Sequence, residues 1–74
     1  MNTQDKIQTA LIEAQEEMFP GFYFDHYDES SKFSGVSYSC GVDELDGEMA
    51  EVTIYINNET LEIIDVLVEE PSEF

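Results

Sequence analysis

The 74 residues carry eighteen Asp and Glu against two lysines and no arginine, a formal net charge of -16. That balance excludes direct binding to nucleic acid or to an anionic membrane, since both need clustered Lys or Arg. With 42% hydrophobic residues, five Phe and four Tyr, the chain has material for one small core and differs from an acidic disordered tail.

An N-terminal helix is expected from about Thr3 to Phe19. Asn2 or Thr3 caps it, and Asp5 sits in the first turn, where a carboxylate is favoured. Ile7, Ala10, Leu11, Ala14 and Met18 recur at spacings of three and four and define one apolar face; Gln8, Glu13, Gln15, Glu16 and Glu17 fall mostly elsewhere. Glu16 and Glu17 oppose the helix dipole at its C-terminal end, and Pro20-Gly21 stops the helix.

Beyond Gly21 the chain reads as strand and turn. Phe22 to Tyr27 forms a first, aromatic strand, and Asp28 to Lys32 a turn. From Phe33 to Val42 alternation places Val36, Tyr38, Cys40 and Val42 on an inward face, with Gly35, Ser37 and Ser39 outward. Asp43 to Glu48 reads as a second, acidic turn. From Met49 to Asn57, Ala50, Val52, Ile54 and Ile56 point inward and Glu51, Thr53 and Tyr55 outward. Asn57 to Thr60 is a tight connection with Asn at positive φ. Leu61 to Glu69 is the last strand: Ile64, Val66 and Val68 suit the core, and Ile63 and Leu67 point away with Asp65 and Glu69. Short connections favour sequential pairing. The expected architecture is a single α+β domain over residues 1–74, one N-terminal helix packed on a four-stranded antiparallel sheet, in the order αββββ.

The lone Cys40 cannot form an internal disulfide. The start, Met1-Asn2-Thr3-Gln4-Asp5, has neither a basic region nor an apolar stretch after it. The chain therefore reads as a complete, cytoplasmic protein without a spanning segment.

Chemistry-bearing constellations are weak. Carboxylate pairs such as Glu16-Glu17, Asp25 with Asp28, and Glu69-Glu70 lack the cleft an acid–base dyad needs. The Asp43–Glu48 stretch lacks the ligand order of a calcium loop. Asp25, His26 and Asp28 offer one imidazole and no thiolate partner for a transition metal. Cys40 with His26 as nucleophile and base has no neighbouring cation to hold a thiolate, and Cys40 reads as a small core residue. No enzyme, metal or cofactor is expected.

What remains is the charge. A small domain stays soluble at a net charge of about 2–8 in magnitude; this one exceeds that and bears the self-repulsion. A halophilic surface is a competing account. Acids occur in every segment. Carboxylates on alternate strand residues lie about 6.5–7 Å apart, and those four apart on a helix about 6 Å apart, close to the phosphate spacing along one nucleic-acid strand. Tyr23, Tyr55, Ile63 and Leu67, beside Asp25, Glu51 and Asp65, form an uncovered sheet side suited to a protein partner. The candidate binding residues are Asp25, Asp28, Glu29, Asp43, Glu44, Asp46, Glu48, Glu51, Tyr55 and Asp65.

In size, charge and lack of arginine the chain resembles the small acidic DNA-mimic proteins that viruses and mobile elements use against host nucleases, anti-CRISPR and anti-restriction proteins among them. The resemblance implies a non-catalytic inhibitor whose partner is a basic protein, a nuclease or DNA-binding protein, blocked at its nucleic-acid site. An immunity or antitoxin-like protein capping a cationic toxin enzyme, or an acidic housekeeping domain, is the alternative.

Overall fold

The computed structural model describes residues 3–71. The cap expected from Asn2 or the Thr3 side chain, and the acidic end at Glu73, lie outside what is described. Helix α1 (Thr3–Met18) is followed by strands β1 (His26–Glu29), β2 (Val36–Leu45), β3 (Glu48–Asn57) and β4 (Ile63–Glu69). They form one antiparallel sheet in the order β1-β2-β3-β4, the expected αββββ meander.

The core joins α1 to the middle of the sheet. Ile7, Leu11 and Ala14 meet Val52, Ile54 and Ile56 of β3, together with Phe24 from the connection after the helix. Met18, expected on the buried stripe, is exposed, and Gln15 takes a buried place instead. Its Nε2 donates to Ser39 Oγ at 2.5 Å, which satisfies two polar groups between helix and sheet. After Gly21, at φ 84°, the chain does not enter a strand at Phe22 as the sequence suggests. Phe19, Phe22 and Phe24 gather into a cluster with ring centroids 5.0–6.4 Å apart. Strand β1 begins only at His26 and is short and exposed.

The main departure from the sequence reading lies in β2. Asp46 and Gly47, at φ 54° and 87°, make a two-residue hairpin loop between Leu45 and Glu48. Residues 43–45, read as part of a turn, therefore belong to the strand. The loop pairs Ser37 with Ile56, Ser39 with Ile54 and Gly41 with Val52. Paired residues share a face, so Ser37, Ser39 and Gly41 face the helix, and Tyr38, Cys40 and Val42 face away. The inward assignment of that apolar series is thus reversed. The small inner residues make room: a Cβ on Gly41 would lie 2.2 Å from the Tyr23 carbonyl oxygen.

Strand β4 carries a bulge. Tyr55 pairs with Asp65 and Ile56 with Ile63, so Ile64 is the extra residue. Ile63 and Val66, three apart, consequently both turn to the helix side, and the outward assignment of Ile63 is corrected. In the β3–β4 connection the residue at positive φ is Leu61, at 65°, and not an asparagine. Asn57 acts through its side chain, its Oδ1 accepting from the Glu59 and Thr60 N–H groups at 2.7 and 3.0 Å. No described helix is long and apolar enough to cross a membrane.

Candidate functional site: the open face of the sheet

Among the described residues, the helix and the aromatic connection lie on one face of the sheet and no element covers the other. Register assembles that face in rows. The first runs Asp28–Tyr38–Tyr55–Asp65 across all strands, and the second His26–Cys40–Thr53–Leu67. Beyond them lie Val42–Glu51–Glu69 and, nearest the hairpin, Glu44–Met49. Strands about 4.8 Å apart put the Asp28 and Asp65 positions about 14 Å from each other, with the tyrosines between.

The aromatic groups form a contiguous band. Tyr38 and Tyr55 stand 6.0 Å apart by centroid. Phe33, from the loop before β2, meets Tyr55 edge-on at 6.0 Å, and His26 lies 5.6 Å from Tyr38. Such tilted pairs add about 0.5–1.5 kcal/mol beyond area burial and hold the rings in fixed orientation. His26 Nε2 is 3.1 Å from Tyr38 Oη. Lys32 Nζ sits 5.8 Å from the Phe33 ring centroid, a cation–π contact at the rim. Asp28 and Asp65 are pinned by their own backbone: Oδ1 of each accepts from the N–H of the next residue, at 2.7 and 2.9 Å.

Partial burial, then the nearby Asp28 carboxylate, raises the Tyr38 phenol above the usual tyrosine value, with smaller contributions from Cys40 and Tyr55. Cys40 sits directly opposite His26, but its sulfur lies 3.7 Å from Glu51 Oε2 and accepts from Thr53 Oγ1 at 3.4 Å. Burial first, then the Glu51 and Asp25 charges, push the thiol pKa up, outweighing the opposing hydrogen bond from Thr53. The two positions are thus cross-strand neighbours, in a setting that disfavours the thiolate a nucleophile needs. Among the described residues no group of three His, Cys, Asp or Glu side chains is placed to hold a metal ion.

Of the candidate binding residues, Asp28, Glu44, Glu51, Tyr55 and Asp65 share the open face. Asp25 lies at its margin, its N–H donating to the Cys40 carbonyl at 3.2 Å. The others go elsewhere. Asp43 points to the helix side, where Oδ2 accepts from the Tyr23 N–H at 2.9 Å and ties the aromatic connection to β2. Asp46 holds the hairpin loop. Glu48 pairs with Leu45 on the helix side, and Glu29 lines a polar hollow of about 540 Å³ between α1 and β1 with Gln4, Gln8 and Ser37. Tyr23, expected on the sheet, is exposed on the connection. Tyr38, His26 and Phe33 belong to the site and were not among the sequence candidates. The signal for Tyr38 was the Asp46-Gly47 loop, from which the pairing can be counted.

The chain matches no protein-family model, no curated protein and no solved structure.

Proposed function

We propose that the chain is a small non-catalytic inhibitor that binds a cationic, nucleic-acid-handling protein through the open sheet face and blocks its nucleic-acid site. The observation that supports this is the Asp28–Tyr38–Tyr55–Asp65 row. Tyrosine is enriched among the residues that dominate protein interfaces. A guanidinium stacks on an aromatic face and forks onto a carboxylate. Two adjacent rings flanked by carboxylates therefore suit an arginine-bearing surface, and an arginine-bearing surface is also what grips phosphate while aromatic groups stack on bases. In this reading the carboxylates take the place of phosphates and the tyrosines the place of bases, in the manner of viral and mobile-element DNA mimics directed against host defence nucleases.

The test is retention of host proteins at low salt, followed by competition. A retained basic protein should elute with salt and lose DNA binding when the chain is added, while the chain itself leaves DNA free. Asp28→Lys/Asp65→Lys should abolish both effects. Retention of no basic protein, or a complex that still binds DNA, removes the proposal.

A further inference from the structure

The opposite side of the sheet carries a second surface, independent of the open face. An α-helix is about 10 Å wide and strands lie about 4.8 Å apart, so one helix covers two strands. Here α1 packs chiefly on β3 and β2. The aromatic connection 19–25 fills the space beside it over Gly41. Over β4 the described residues leave an apolar strip instead. At one end a hollow of about 620 Å³ lies between α1 and β4, floored by Ala10, Ala14, Leu61 and Ile63. At the other end a smaller one, about 290 Å³, is bounded by Leu45, Ala50 and Val68. Ile63 and Val68 are 43% and 51% exposed, high for apolar residues turned to the helix side.

Acid rims both ends. Glu13, Glu17 and Glu62 border the larger hollow, and so does the cation Lys6; Glu48 and Glu70 border the smaller. Glu13 and Glu17, four apart, repel each other, and Glu17 stands in the last helical turn, where the dipole also disfavours it and there is no basic residue. The local cost falls on residues that face this strip, and an incoming cation relieves it. A second copy of the chain, also at -16, would add acid to acid.

We infer that the strip over β4 docks an amphipathic helix whose apolar face is flanked by Lys or Arg, lying beside α1 and completing the second layer over the sheet. Apolar anchors at helical spacing enter the hollows, and the flanking cations meet the carboxylate rims.

The probe is a synthetic 16-residue peptide, the length of α1, with Leu at helical amphipathic spacing and Lys elsewhere. It is titrated into isotopically labelled protein and followed by NMR. The expected result is saturable binding with the largest shifts at Ala10, Ala14, Leu61, Ile63 and Val68. A scrambled peptide of the same composition should bind at least about tenfold more weakly, and Glu13→Lys/Glu17→Lys, with its fold checked by circular dichroism, should weaken the probe by about as much. Ile63→Lys, at a half-exposed position, provides a second variant with the same expected loss. At about 0.15 M salt, where screening acts over about 8 Å, Asp28→Lys/Asp65→Lys on the other face should change probe affinity by less than about threefold, so failure here is distinguishable from failure of the open-face proposal. Equal binding of the scrambled peptide, shifts centred on Tyr38 and Tyr55, or sedimentation showing a dimer that buries the strip would each overturn the inference.

Discussion

Gly41 is the residue at which packing leaves least choice. Its missing side chain admits the backbone of Tyr23 and Phe24, whose carbonyl oxygen and Cα lie 2.2 and 2.7 Å from where a Cβ would stand. Backbone cannot swing aside as a flexible side chain does. Gly41→Ala should lower stability by about 1–3 kcal/mol, the usual cost of overpacking, read as a shift in urea midpoint with an unchanged slope. Ser39 tests the polar side of the same interface. It is fully buried with Gln15 as its partner, so Ser39→Ala strands the buried amide at about 1–3 kcal/mol. Gln15→Met in the same chain should recover part of that loss; no recovery would mean the hydrogen bond is not what the site depends on. Neither role is visible in a pattern of apolar and polar letters. Ser37, Ser39 and Gly41 look like a solvent face because they are not apolar, and they are inside because they are small. On the open face, Tyr38 and Cys40 give a pH dependence with a definite sign. Both hold their protons more tightly in the folded protein, the cause in each case being burial first and neighbouring acid second. Their contribution to stability is complete below the unfolded-state values, about 8.5 for Cys and about 10 for Tyr, and is lost as pH rises through the higher folded values. Urea midpoints should therefore fall progressively above about pH 8.5, and Tyr38→Phe/Cys40→Ser should flatten the fall.

Among the elements, the β2–β3 hairpin organises the rest. Its loop needs positive φ at Asp46 and Gly47, which Asp tolerates and Gly accepts freely. Gly47→Ala should cost about 1–2 kcal/mol in thermal or urea unfolding. Counting outward from this loop fixes every pair from Leu45–Glu48 to Val36–Asn57. Once Val52, Ile54 and Ile56 are placed inside, the open face follows from the pairing alone. That much of the site was legible in the sequence. Alternation within β2 pointed the other way because its outward series is the more apolar one, and an uncovered face tolerates Tyr, Cys and Val. The helix was legible from three-and-four spacing, and short connections made sequential pairing the default order of strands, which the sheet follows. The bulge at Ile64 was not, since Ile63-Ile64 offers two apolar residues in succession and only the pairing decides which one turns to the helix. Nor was the late start of β1: the Phe residues at 19, 22 and 24 satisfy one another and the core before the chain begins to pair. The resulting β1 is a short, wholly exposed edge strand, so amide exchange should be fastest there among the strands and slowest at Val52, Ile54 and Ile56. Comparable protection of β1 would imply cover that its exposure does not provide.

For the whole molecule the governing quantity is the charge, spread over every element and not gathered in a tail. The chain spans 37 × 24 × 17 Å with a radius of gyration of 12.2 Å. At 0.01 M salt the screening length, about 30 Å, covers nearly all of it, whereas at 1 M it is about 3 Å. At low salt, then, most carboxylates feel most others, and compaction to this radius concentrates a net charge of -16 that the unfolded chain would disperse. Raising sodium chloride should therefore raise the urea midpoint of the free protein, with the gain levelling once the screening length falls below the spacing of neighbouring acids. Binding to a cationic partner should respond with the opposite sign, because screening removes the attraction that steers the two together and holds the rim contacts. Affinity should fall at least about tenfold between roughly 0.05 and 0.5 M salt, mostly through a slower association rate. The two measurements share one variable and separate two accounts of the acid. A surface that serves only solubility or a saline environment gains stability with salt and has no affinity to lose. A surface that serves recognition shows both trends, and substitutions at Asp28 and Asp65 should reduce the salt dependence of binding while leaving that of stability almost intact.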